Sequence, residues 1–196
     1  MSVRFRLTGI LLAALLVLTA AGCAAGIKTY VNSQAELGGY KKVGFLPFQN
    51  LSNERFASDR VARTFEMELL MTERYQVVGA QEFARGLRGG GVDPGNLTAD
   101  PNKLKAATEA LGVQGIILGT VKEYQLARMG QDNVPVVSFD VEMLDAPTGI
   151  VVWRTSVSIQ GRSRVPVVGG VGKRTFTSLT DEACAAAVAN LRRRAF

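Results

Sequence analysis

Histidine is absent from all 196 residues. That excludes Ser-His-Asp and Cys-His nucleophilic catalysis, and every histidine-ligated metal site. Cysteine occurs only at Cys23 and Cys184. Cys184 lies in the alanine-rich helical stretch DEACAAAVANL, where a small buried apolar residue is expected rather than a reactive thiol. Long apolar runs are missing too. A membrane-spanning helix needs about 20 residues, and the run from Leu7 to Ala20 has 14. Lys and Arg outnumber Asp and Glu by 23 to 17. They are scattered and not interleaved with aromatics, which argues against nucleic-acid binding.

The N-terminal run has its own reading. Arg4 and Arg6 precede it, and Ala20-Ala21-Gly22-Cys23 follows it. A basic n-region, a short apolar h-region and small residues make a secretory signal. The last four residues resemble a lipobox, the site where bacterial signal peptidase cuts before a lipidated cysteine. Ala20 departs from it, since the pattern prefers leucine there. Residues 1–22 are therefore expected to be removed and Cys23 to be acylated. Ala24, which is not aspartate, resembles an outer-membrane sorting signal. The mature chain would keep 174 of the 196 residues, enough for one domain with a good core, and a net charge of +4 instead of +6. With Cys23 acylated, Cys184 has no intramolecular disulfide partner.

Near the other end, VVGGVGKRTF suggests a phosphate-binding loop. Aligned on Gly172-Lys173, Val167 stands where the first glycine is required and Arg174 where Ser or Thr is required. Two defining positions fail, so no nucleotide is expected. The stretch reads as a flexible basic loop in which Arg162, Arg164, Lys173 and Arg174 concentrate charge, a candidate surface for an acidic partner, a neighbouring subunit or anionic lipid.

Residues 23–39 lack clear periodicity and read as a lipidated tether, leaving 40–196 as the domain. KKVGFLPFQN is apolar on both faces and reads as a buried strand. In ERFASDRVARTFEMELLMTE, Ala57, Val61, Phe65 and Leu69 recur every four residues and define a helix. RYQVVGA is a short strand, QEFARGLRGGGVDPGN holds a helical turn, and DPNKLKAATEALG is a helix stopped by Gly112. VQGIILGTVKEYQ is a strand. VPVVSFDVEML and IVVWRTSVSIQ alternate cleanly and form a hairpin through DAPTG. With the turn centred on Pro147, Asp140 would face Arg154 and Val141 would face Trp153. A final helix is expected from about Thr180, with Asp181 and Glu182 in its first turn and Arg192, Arg193 and Arg194 in its last. The order is β-α-β-α-β-β-β-α. The expected class is α/β, a single mixed sheet with packed helices.

Three segments together resemble one group. VGFLPFQN is similar to the opening strand of TolB-like amino-terminal domains and of the CsgG-like curli-transport lipoproteins. LGVQGIILGTVKEY is similar to the group's Gly-Thr-Val strand. VEMLDAPTGIVVWRTSVSI is similar to its Asp-x-x-Thr-Gly hairpin, carried here by Asp145, Thr148 and Gly149. The resemblance spans about Lys41 to Arg194. It implies an outer-membrane lipoprotein facing the periplasm, working through contacts with other envelope proteins and able to form homo-oligomers. Members contribute to secretion channels, flagellar assembly or regulation of cell-wall synthesis. The curli channel resembles this domain with membrane hairpins inserted at two places. The first corresponds here to Leu126–Asn133, too short for two strands of about 9–11 residues. The second corresponds to GRSRVPVVGGVGKRTFTSL, where four basic residues would meet lipid. The cell-wall-synthase activators resemble the fold on a long arm; a 16-residue tether reaches at most about 50–60 Å.

Carboxylates are the remaining catalytic candidates. Asp140 and Glu142 share one strand face, about 7 Å apart. Ser138, Arg154, Ser156 and Ser158 surround them, which suits a solvated sheet face. The expectation is a non-enzymatic binding module without cofactor or metal. The alternatives are an oligomeric subunit of a CsgG-like export channel and a regulator of a cell-wall synthase.

Overall fold

A long antiparallel hairpin is the spine of the molecule. In the computed structural model, which describes residues 26–130, 132–161 and 175–195, strand β5 (Gly115–Met129) returns directly as β6 (Asp132–Asp145). β6 pairs in turn with β7 (Val151–Gln160), and β7 with β1 (Gly26–Val31). On the other side of β5 lie β2 (Lys42–Phe45) and then β4 (Gln76–Val78), both parallel to it, while the short β3 (Gln49–Asn50) also pairs with β5. Among the described residues the result is one mixed sheet of seven strands, ordered β1-β7-β6-β5-β2-β4 with β3 beside β5. The expected class, a single mixed sheet with packed helices, is what the chain forms.

Among the described residues, four α-helices cover the sheet. Helix α1 (Ala57–Met71) buries the stripe Ala57, Val61, Phe65 and Leu69 that its four-residue recurrence defines. Beside it lies α4 (Phe176–Ala195), burying Leu179, Ala183, Cys184, Ala187 and Leu191. Both pack on the sheet face formed by Val43, Phe45, Ile117, Phe139, Val141 and Trp153. On the opposite face, α2 (Ala80–Gly89) and α3 (Pro101–Leu111) pack Phe83, Leu87 and Leu104 against Ile116 and Leu144. Each large apolar side chain buried this way contributes about 1.5–3 kcal/mol. Helix α3 starts and stops on its own residues. Asp100 accepts from the Lys103 amide, Pro101 occupies the first turn, and Gly112 ends it at φ +63°.

The expected order β-α-β-α-β-β-β-α is incomplete: β1 and β3 are added, and the turn expected in QEFARGLRGGGVDPGN is the full helix α2, held by its buried Phe83, Ala84 and Leu87. Four further expectations need correction. The segment 26–31, expected within the tether, is the edge strand β1. Ile27 and Val31 turn half-buried toward the core while Lys28 and Tyr30 face out. Its pairing continues the β7 ladder, and Leu37 just beyond it is buried at 3% exposure. The β6–β7 register is displaced by two residues from the expected one, so Glu142 faces Arg154 and Met143 faces Trp153. Two features share the shift, the turn and a β-bulge between Met143 and Leu144, since Leu144 faces Val151 while Met143 faces Trp153. Asp145 Oδ2 accepts from the Thr148 amide (3.1 Å) and hydroxyl (2.5 Å), and Gly149 sits at φ +69°. This closes a longer loop than one centred on Pro147. The two single steps add to a shift of two, which keeps Trp153 on its core face, whereas Val151, before the bulge, turns to the opposite cluster. Third, most of Leu126–Asn133 is strand, not connection. Fourth, α4 begins at Phe176, a turn before the expected start, so Asp181 and Glu182 lie beyond its first turn. Thr175 precedes it, and its hydroxyl accepts from the Ser178 amide at 3.2 Å.

Candidate interaction surfaces

Cys23, Arg162, Arg164, Lys173 and Arg174 lie outside the described residues. The surfaces that the structure does place begin with the open half of the sheet. Helices α2 and α3 cover its β2–β4–β5 part and the Leu144 end of β6, leaving the stretch of β6 and β7 around Asp140, Glu142, Arg154 and Ser156 without a helix over it. There Lys122 Nζ donates to Asp140 Oδ1 at 2.6 Å and to Ser156 Oγ at 2.9 Å. One rung away, Arg154 grips Glu142, its Nε at 2.7 Å from Oε2. Asp140 and Glu142 are therefore each matched to a cation of their own. Neither carboxylate can take up a ligand without first giving up its ion pair. The Lys122 and Asp140 side chains keep 38% and 40% of their surface exposed, so each ion pair adds at most about 1 kcal/mol.

The second surface is the outer side of α1 and α4. The inward stripe of α1 leaves Met67, Leu70 and Met71 on the outside, 58%, 45% and 60% exposed. These lie three and four residues apart, so they form one patch on the helix. Beside the patch, between the helices, is a hollow of about 220 Å³ lined by Met71, Thr72, Ala185, Val188 and Ala189 together with the charged Glu68 and Arg192. A second, more polar hollow of about 400 Å³ continues over Thr72, Arg74, Arg192 and Arg193. Burial, reinforced by the Asp181 carboxylate, raises the Glu68 pKa. The sequence reading missed this patch because the core-facing stripe accounted for the helix. The clue was the ELLM run, which places apolar residues off that stripe.

The Asp-x-x-Thr-Gly motif has a structural explanation. Besides holding Thr148, Asp145 accepts from the Tyr40 hydroxyl through Oδ1 at 3.1 Å. Burial, together with the Asp145 charge, raises the Tyr40 pKa to about 12. The motif thus ties the hairpin turn to the start of the domain. The glycine of Gly-Thr-Val is likewise structural, since the Phe48 ring lies over Gly119. Among the described residues no three His, Cys, Asp or Glu side chains are grouped as metal ligands, and no helix is long and apolar enough to cross a membrane.

No protein-family model matches the chain, and no curated protein matches it. Solved structures share its fold. PelC from Paraburkholderia phytofirmans, a dodecamer, is 17% identical, with 86% of this chain and 97% of that one covered at a TM-score of 0.59. Lipoprotein GNA1162 from Neisseria meningitidis is 19% identical, with 78% and 99% covered at 0.52. Protein CT253 from Chlamydia trachomatis is 10% identical, with 79% and 96% covered at 0.51. At these identities the likeness is one of fold. It is a fold that a bacterial lipoprotein uses.

Proposed function

We propose that this chain is an outer-membrane lipoprotein, anchored through Cys23 and facing the periplasm, whose domain binds other envelope proteins and performs no catalysis. The observation that carries the binding role is the exposed apolar patch of Met67, Leu70 and Met71 beside the α1–α4 hollow. Exposed apolar residues grouped beside charges of both signs, here Glu68 and Arg192 in the hollow's lining, suit a protein partner. The lipobox-like leader supports the anchor, and so does the occurrence of the fold in lipoprotein GNA1162. The resemblance to CsgG-like and TolB-like domains agrees with this reading.

A second reading, an oligomeric subunit of an export assembly, is favoured by one finding: PelC, of similar fold, is a dodecamer. The β5–β6 hairpin argues against a pore at that position. Beyond the last β7 partner of β6, it continues only from Leu126 to Met129 on one strand and Asp132 to Pro135 on the other. That length is about 13 Å, short of the 9–11 residues per strand that crossing a bilayer requires.

The anchor is tested by labelling cells with a fatty-acid probe and fractionating them. Cys23→Ala should lose the label and leave the membrane fraction; retained label would refute the anchor. The binding role is tested by replacing Met67, Leu70 and Met71 together with serine. The expected result is loss of an in-cell crosslinked species or a smaller native mass, with unchanged stability. Identical crosslinks and mass would remove this patch from the account.

A further inference from the structure

We infer that the tip of the β5–β6 hairpin is the part of the domain that enters the membrane surface. The inference rests on the lipid-anchor reading and adds an orientation to it. Acylation at Cys23 leaves only Ala24 and Ala25 before Gly26, where β1 begins. Three residue steps span at most about 10–11 Å, so the domain is held close against the bilayer.

The strand register says which end faces it. Gly26 lies opposite Ser158, and Ser158 opposite Ser138. From that level β6 runs back to Asp132, paired with β5 as far as Met129. Those rungs add about 20 Å. Two steps of sheet twist rotate β6 by roughly 45° relative to β1, which leaves about 14 Å along the direction in which β1 points. With the strands upright on the membrane, the tip reaches farther than the anchor does. An acyl chain seated among the lipids then brings the tip into the headgroups.

The side chains at the tip suit that position. Leu126 and Met129 are 59% and 42% exposed. They lie an odd number of residues apart in a continuous strand, so they point to opposite faces of the hairpin. One docked protein surface covers one face; immersion in an interfacial lipid layer covers both. Arg128, exposed between them, suits anionic headgroups, and Asp132 opposite Met129 is the acidic residue there. The alternative orientation lays the β1 edge flat and puts Tyr30, 54% exposed, against lipid.

The test uses the acylated protein in vesicles of phosphatidylethanolamine and phosphatidylglycerol. Single cysteines replace Leu126, Met129, Tyr30 or Ile150 and carry an environment-sensitive fluorophore. Ile150, 56% exposed at the opposite end of β7, is the matched control. Cys23 is blocked by acylation and Cys184 is buried, so neither competes for the label. Blue-shifted emission, quenched by nitroxide lipid at Leu126→Cys and Met129→Cys but not at Ile150→Cys, is the expected result. Unquenched tip probes, or stronger quenching at Tyr30→Cys or Ile150→Cys, would overturn it. Mass measurement on the same samples separates the two ideas. An acylated chain with an unquenched tip refutes the orientation and leaves the anchor standing. A chain without acyl groups refutes both.

Discussion

The indole Nε1 of Trp153 donates to Asn190 Oδ1, 3.4 Å away, in the buried seam between β7 and α4. Trp153 is fully buried and Asn190 is 8% exposed, so the pair satisfies two polar groups where the sheet meets its longest helix. A buried indole N–H needs such a partner.

Truncating Trp153 to Ala should cost about 3–5 kcal/mol, the range for deleting a large buried aromatic. Asn190→Ala should cost less, about 1–3 kcal/mol, because it leaves the indole donor without an acceptor. Urea unfolding of the two variants checks the order. A Trp153→Ala loss below about 1 kcal/mol would contradict the packing of this seam.

Tyr75 supplies a change of opposite sign. Its hydroxyl is the one buried side-chain polar atom among the described residues without a hydrogen-bond partner. Tyr75→Phe removes an unsatisfied group and should raise stability by about 1 kcal/mol. The same residue shapes the alkaline limb. Burial raises its pKa from 10.0 to about 12, and Tyr40 is raised to about 12 as well. Folded-state values above the unfolded ones mean that this contribution is full below about pH 10 and is lost as pH rises through about 12. Wild type should therefore weaken across that window more steeply than Tyr75→Phe. Equal slopes would show that the Tyr75 phenol does not titrate differently in the two states.

Much of this architecture is legible in the residues, and the failures have physical causes. Clean alternation in β6 and β7 put Trp153 in the core, because side-chain period alone decides the face. The same alternation is indifferent to a slip of two, so the register depended on Asp145 reaching Thr148 and on the bulge beside Leu144, local events that periodicity does not encode. Strand β1 was hidden because Thr29 interrupts its apolar alternation and Tyr30 faces outward. Its strand character comes from the open edge of β7. The apolar patch on α1 was masked by the stronger inward stripe of the same helix. The lipidation residue and the basic loop rest on sequence alone.

Cys184 should be inert in the native protein. It is fully buried, its Sγ lies 3.7 Å from the Val61 carbonyl, and burial pushes its thiol pKa upward, with Glu68 and Asp181 adding to the effect. The thiolate is the reactive species, so alkylation should proceed only through unfolding and match the unfolding rate in urea. Rapid modification at neutral pH without denaturant would show that the α1–α4 seam opens locally.

The last prediction tests why the Gly-Thr-Val strand carries its glycine. A Cβ on Gly119 would lie 2.4 Å from the Phe48 ring, closer than any relaxed contact. That ring cannot easily retreat. It is 6% exposed, stacks on Phe45 at a centroid distance of 5.2 Å, and leans on Phe65 at 6.1 Å. Gly119→Ala should therefore cost about 1–3 kcal/mol through overpacking, although alanine would otherwise be the better strand residue. Phe48→Leu alone loses apolar volume and is also destabilising. In combination the smaller side chain vacates the space the new methyl needs, so the double variant should be more stable than the sum of the two losses by about 0.5–3 kcal/mol. Urea midpoints of the four proteins measure the coupling. Strict additivity would mean that the ring and the glycine do not compete for space, and the motif would then need another explanation.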